Sequence, residues 1–233
     1  VETGTFKGMN IITHLDNFKE LYSCEKIKRY FDITSNKLAN IDFNTNKNYG
    51  FPYIHFEDSK KFLKWFRKFI NHMQKYKEYK KDEKFIFYLD AHFYDPMMPK
   101  GRGKFIVLDE LKALKGMKDA IIIIHDFDNG LGHITYDGIS LDMKLLRKDL
   151  LKVNPKFRFY TNELSSCDII TLAEEIGLML KSKKLYGGKG DYDYDQDRMD
   201  NLKYAWSKPE KTYRGLLYCV PKKIKVDGLR EIK

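Results

Sequence analysis

Val1-Glu2-Thr3-Gly4-Thr5-Phe6-Lys7-Gly8-Met9-Asn10 opens the chain and decides how the rest is read. An acid stands at the end of a short strand-like run. Two glycines follow, at positions where backbone turns tightly or approaches a ligand closely. A helical stretch opens near Asn10. Strand, glycine loop and helix in that order aim backbone N–H groups at a nucleotide-like ligand. Two glycines alone do not set this loop apart from any other αβ turn. The remainder of the chain does.

Strand and helix patterns alternate at the spacing of a βαβ fold. A first strand covers Val1 to Thr3, and because the chain opens inside it, a beginning further upstream is expected. A short helix through Ile11, Ile12 and Leu15 follows, then a strand over Glu20 to Glu25 and a helix over Ile27 to Leu38. The Asn-rich stretch 40–49 reads as a loop. A strand over Pro52 to Phe56 leads to Asp58 or Ser59, natural N-caps for a helix over Lys60 to Tyr76. Phe62, Trp65, Phe66, Phe69, Ile70 and Met73 recur at helical spacing, and this face is expected to be core rather than a base-stacking platform. Phe85 to Leu89 reads as a strand, and Leu108, Leu111 and Leu114 mark a helix. Ala120 to Ile124 is continuously aliphatic, which predicts a central parallel strand covered on both faces. A helix over Leu141 to Val153 and strands over Phe157 to Thr161 and Leu216 to Val220 complete the pattern, with Pro221 ending the last. Residues 169–180 read as a helix, with 168–172 reading alternatively as a strand. Gly187 to Gly190 and the Asp/Tyr run after them read as a mobile loop, and the lysine-rich tail carries no signal.

The 233 residues suit a single α/β domain spanning 1–233, with enough chain to bury a core. No apolar run is long enough to cross a bilayer, and no signal peptide is visible, so no membrane role is expected. Cys24, Cys167 and Cys219 are odd in number, far apart and without a CxxC. That argues against a disulfide framework or zinc site and for a reducing cytoplasm. The net charge of +10 suits an anionic partner such as nucleic acid, or reflects lysines on solvated helix faces such as Lys60, Lys61, Lys64, Lys68 and Lys75.

The polar groups concentrate where an open parallel sheet binds ligands, beyond the carboxyl ends of its strands. They are Glu2 with Gly4, Glu25, Asp58, Asp90 with His92, and His125 with Asp126. Loops and helix caps account for Asp58 and Glu25 without a ligand. They account less well for Asp90-Ala91-His92 and His125-Asp126, which directly follow the most apolar strands. A dinucleotide site asks for G-x-G-x-x-G with an acid about 20 residues on. Glu25 is suitably placed, but the glycines are spaced G-x-x-x-G and an acid precedes the first. Those features point to S-adenosylmethionine.

Glu2-Thr3-Gly4-Thr5-Phe6-Lys7-Gly8-Met9-Asn10 resembles the E-x-G-x-x-x-G-x-[S/N] motif of class I S-adenosylmethionine-dependent methyltransferases, most closely the catechol-type and macrolide-sugar-type O-methyltransferases. The resemblance runs over about Val1 to Val220 as short motifs in order. It implies a Rossmann-like, doubly wound, mostly parallel seven-stranded sheet whose antiparallel last strand, Leu216 to Val220, inserts beside strand five. It implies that Glu2, Gly4, Thr5 and Gly8 cradle the methionine end of the cofactor, that Glu25 binds the ribose hydroxyls, and that Asp58 and Ser59 lie by the adenine. Asp90 matches the acid after strand four and Asp126 the acid after strand five. In the metal-dependent branch these acids hold Mg²⁺ with a neighbouring residue. Phe127 cannot ligate, so Asp128 or Asn129 stands in. The family's lysine beyond the strand-four acid has no counterpart, leaving His92, then His125, as the base. His125 reads equally as a strand-end cap. The implied activity is methyl transfer to a hydroxyl of a small molecule or sugar. The alternative is a methyltransferase-like fold that binds or methylates nucleic acid. The substrate side falls to the loops Phe93 to Lys104, Asn129 to Gly138 and Leu185 to Asp200.

Overall fold

The computed structural model describes residues 1–43, 49–80, 83–91, 105–130, 140–162 and 215–232. Its elements are β1 (Glu2–Thr3), α1 (Met9–Thr13), β2 (Glu20–Glu25), α2 (Lys28–Ala39), β3 (Phe51–Phe56), α3 (Ser59–Lys75), β4 (Ile86–Leu89), α4 (Ile106–Ala113), β5 (Ile121–Phe127), α5 (Met143–Val153), β6 (Phe157–Thr161), β7 (Gly215–Pro221) and β8 (Arg230–Ile232). All the described strands form one sheet in the order β3-β2-β1-β4-β5-β7-β6-β8. From β3 to β5 every pairing is parallel. β7 runs antiparallel between β5 and β6, the insertion that the resemblance implied.

Among the described residues the sheet has eight strands rather than seven, and β7 is not the last. Arg230–Ile232 adds to the edge through Phe159↔Ile232, Tyr160↔Glu231 and Thr161↔Arg230. Arg158 holds Glu231 with two hydrogen bonds of 3.1 and 3.3 Å. Three residues are too few to show a period of two, so this strand is defined by its neighbour and not by its own pattern.

Helices lie on both faces. Successive strand residues point to opposite sides, and on β3 the Phe56 ring meets Phe31 of α2 at 5.5 Å while His55 meets Phe62 of α3 at 5.1 Å. α2 and α3 therefore cover opposite faces. The main core lies where α3, α4 and α5 meet the sheet, around Phe66, Phe87, Leu111, Ile122 and Leu146. A smaller cluster joins Ile11, Leu15 and Leu21. On β5, Ile122 and Ile124 are buried and Ile121 and Ile123 only half so, among the described residues. Asp58 caps α3 by accepting from the backbone of Lys60 and Lys61. Phe62, Phe66 and Ile70 enter the core as their spacing predicts, but Trp65 stays 42% exposed at the rim. Cys24 and Cys219 are buried in β2 and β7, and burial pushes both thiols well up. Among the described residues no helix is long and apolar enough to cross a membrane.

α4 buries one carboxyl group beneath the sheet. Glu110 is wholly enclosed, and neither of its oxygens has a well-formed hydrogen bond. Burial pushes its pKa up to about 7, the Ser59 and Thr3 hydroxyls hold it down somewhat, and the charges of Asp90 and Asp58 raise it further. A carboxyl raised in the folded state contributes stability that is full below its ordinary pKa and is lost as pH rises through the folded value. Glu110→Gln removes this dependence. Urea denaturation is expected to show the variant gaining roughly 2–3 kcal/mol on the wild type between pH 5 and 8. A pH-independent difference would mean that Glu110 ionises freely in the fold.

Candidate active site

β1 lies between β2 and β4, with Thr3 opposite Cys24 on one side and Leu89 on the other. The chain leaves the sheet at Gly4 through the gap between those strands. A β-carbon there would lie 2.7 Å from the carbonyl oxygen of Asp90, and Gly4 has φ +76°. Both demands exclude other residues. The Gly4 and Thr5 N–H groups donate to the Cys24 carbonyl at 3.1 Å, and the Thr5 hydroxyl bonds Ser23 and the same carbonyl. Gly8 also has φ +76°, and its β-carbon would meet the Thr34 methyl at 2.5 Å. Thr34 in turn donates its hydroxyl to the Phe6 carbonyl at 2.9 Å. Both glycines are thus required by close approach of the loop to β4 and α2.

The acids at the ends of β1 and β2 brace this loop. Glu2 is buried, accepting from Asn10 at 2.7 Å and from Ser23 at 2.8 Å. Burial raises its pKa, and those two hydrogen bonds hold it down. Glu25 is also buried, its oxygens accepting from the backbone of Phe6 at 2.7 Å and Ile27 at 2.8 Å. Each carboxylate oxygen has two lone-pair sites, so these bonds leave acceptor capacity on Glu25. Asp58 spends one oxygen on capping α3, and Ser59 is buried behind it. Asn10, Ser23 and Thr34 complete the arrangement. Ser23 had a legible signal, a lone hydroxyl inside an apolar strand, whereas Thr34 had none.

β4 and β5 supply a second cluster. Leu89 and Ile124 are register partners, so Asp90 and His125 follow side by side. The pairing of β5 with β7 shifts between Ile124 and Phe127, and Asp126 takes φ +57°. A β-bulge re-aims a side chain in this way, and a non-glycine residue held at positive φ carries strain of the kind found at functional sites. The strand runs on to Phe127 through the bulge instead of ending at Ile124. As a result the His125 Nδ1 atom lies 3.0 Å from Asp90 Oδ1 and 3.0 Å from Asp126 Oδ1. Nδ1 makes no well-formed hydrogen bond with either carboxylate, and burial lowers the imidazole pKa, but the proximity of Asp126 and Asp90 outweighs it and raises it to about 9. Burial and the Asp90 charge also push the Tyr88 hydroxyl up, its ring 6.0 Å from His125.

The expected triad of Asp90, Asp126 and Asp128 is not the one assembled. The atoms of Asp90, His125 and Asp126 lie within 4.8 Å of one another. Asp128 accepts instead from the Gly130 N–H at 3.0 Å, and Asn129 donates to the Asn162 carbonyl at 3.0 Å. The bulge is the cause, because it places His125 between the two carboxylates. His92, Cys167 and most of the three substrate loops lie outside the described residues.

In three dimensions the chain is similar to phosphoethanolamine N-methyltransferase 2 of Haemonchus contortus bound to phosphomonomethylethanolamine and S-adenosylhomocysteine. The TM-score is 0.50 and the identity 9%, over 94% of this chain and 48% of that one. The same protein with S-adenosyl-L-methionine gives 0.50 and 9%, over 94% and 47%. A mycolic acid cyclopropane synthase with S-adenosylhomocysteine gives 0.49 and 10%, over 94% and 75%. The chain spans about half the length of the Haemonchus protein it matches. No protein-family model and no curated sequence matches it. What is shared is architecture: this chain has the Rossmann-like fold of S-adenosylmethionine-dependent methyltransferases.

Proposed function

We propose that this protein is an S-adenosylmethionine-dependent methyltransferase acting on a hydroxyl group of a small molecule or sugar. The observation that carries the reading is the Asp90–His125–Asp126 cluster, placed beside Gly4 where the glycine loop meets the carboxyl ends of the central strands. S-adenosylmethionine, when bound, supplies an electrophilic methyl group on a sulfonium. The remaining lone pairs of Glu25 suit a ribose diol. Gly4, Thr5 and Gly8 bring backbone close to the methionine end, and Glu2 keeps that backbone in place through Asn10 and Ser23. Asp58 and Ser59 flank the crevice at the end of β3.

Methyl transfer to a hydroxyl releases a proton, and the neutral form of His125 can take it. Asp90 and Asp126 face the Nδ1 side of His125, so when the imidazolium loses a proton above about pH 9 the ring keeps Nδ1–H toward them and frees Nε2 as the base. Mg²⁺ demands oxygen donors in near-ideal octahedral array, and two carboxylates with one imidazole fit it poorly. One imidazolium offsets one of the two carboxylate charges without it.

Calorimetric titration with S-adenosylhomocysteine is expected to give a dissociation constant on the order of 1 μM, about −8 kcal/mol. Glu25→Gln keeps the shape but removes the charge, and should weaken binding by roughly ten- to a hundredfold, the worth of about 1.5–3 kcal/mol for hydrogen bonds to a charged group. No binding by the folded wild-type chain would sink the methyltransferase reading. NMR titration of His125 should return a pKa near 9, falling by roughly one unit or more in Asp90→Asn. Turnover of a hydroxyl acceptor should then rise with pH through about 9. A profile flat over that range would remove His125 from the base role.

A further inference from the structure

Among the described residues β3 is one of the two edges of the sheet, and one face of it is a row of rings. Phe51 is 65% exposed, Tyr53 44% and, across from them on α3, Trp65 42%. Each of the latter two is held from behind. Tyr53 stacks on Tyr22 at 4.8 Å with 16° between planes, and Trp65 stacks on Phe69 at 5.4 Å with 12°. The half-buried His55 ring, on the same face of β3 as Tyr53, lies 4.5 Å from Trp65. Alternate residues along a strand are about 7 Å apart, roughly twice the 3.4 Å rise of a stacked nucleic-acid strand. Bases laid along this row would be splayed, one to a ring.

The charge on α3 beside the rings is of one sign, while Glu20 lies beside Phe51 and is held by the Tyr22 and Tyr79 hydroxyls. α3 contains no acid in its 17 residues. Lys61, Lys64 and Lys68 are exposed around Trp65, with Lys61 and Lys68 one turn to either side on its own stripe. Lys61 reaches Glu57 only at 3.6 Å in an exposed pair, and Lys64 and Lys68 make no ion pair among the described residues. A second copy of the chain would bring the same lysines against these and add its own +10. An acidic peptide would meet the lysines and leave the rings unused. A duplex keeps its base faces hidden.

We propose that the β3 edge and the outer face of α3 bind a single-stranded nucleic acid, its bases on Tyr53, His55 and Trp65 and its phosphates on Lys61, Lys64 and Lys68. The surface uses none of the residues assigned to the crevice, so it stands or falls independently of cofactor binding.

Fluorescence anisotropy with a labelled oligouridine of about ten nucleotides, within the span such sites cover, tests it. Three phosphate contacts predict that log K falls with log salt at a slope of about −2, and Lys64→Ser with Lys68→Ser should reduce this to about −0.7. Trp65→Ala should weaken binding at least about fivefold while leaving the slope unchanged, since stacking is salt-insensitive. Trp65 packs on four rings, so Tyr53→Ser gives the same reading if Trp65→Ala fails to fold. The proposal is overturned if the wild type does not bind, if a duplex of equal length binds as well, or if the ring variants bind like wild type. It is equally overturned if sedimentation shows a wild-type dimer that the ring variants abolish, for then the patch serves a second copy.

Discussion

The whole site depends on one gap in the sheet. At Gly4 the chain turns out between β2 and β4 so close to the Asp90 carbonyl that a β-carbon has no room. Everything nearby is organised by that exit. The loop beyond it folds back over β2, where Glu25 accepts the Phe6 N–H and Thr5 bonds Ser23 and the Cys24 carbonyl. Its far end is fixed by the contact of Gly8 with Thr34. Glu2 ties the start of α1 to β2 through Asn10 and Ser23. A loop held at so many points presents its backbone in one shape, which is what pre-organised recognition of a ligand requires.

Charge is distributed unevenly around this frame. The protein as a whole carries +10, yet the central strand ends and the helix beneath them concentrate Glu2, Glu25, Asp90, Glu110 and Asp126 in largely buried positions. Such a concentration is costly unless protons or partners offset it. Glu2 is offset by two hydrogen bonds, Glu110 by a raised pKa, and the Asp90–Asp126 pair by the His125 imidazolium. Lys7 is buried within the glycine loop and Lys37 donates to its carbonyl, whereas α3 gathers several exposed lysines without an acid among its residues.

Much of this was legible in the residues themselves. Periodicity placed most strands and helices to within a residue or two. The G-x-x-x-G spacing with its preceding acid pointed to the fold now seen in three dimensions. The aliphatic run at 120–124 marked the centre of the sheet. Asp58 behaved as the helix cap that its position before a helical pattern predicts. These features depend on near neighbours in sequence, where steric and hydrogen-bonding rules act over a few residues.

What the sequence determined by itself was the alternation of elements, the glycine loop and the gathering of polar groups at strand ends. Tertiary structure alone decided the partners. The bulge at Asp126 is visible only against β7, nearly a hundred residues later in the chain, and it is what puts His125 rather than Asp128 between the carboxylates. β8 exists because β6 offers it an edge. Trp65 shares the period of its buried neighbours yet stays at the rim, because among the described residues β3 is the last strand on that side. In each case the deciding interaction is between segments far apart along the chain, and a local pattern holds no record of which surface will arrive opposite it.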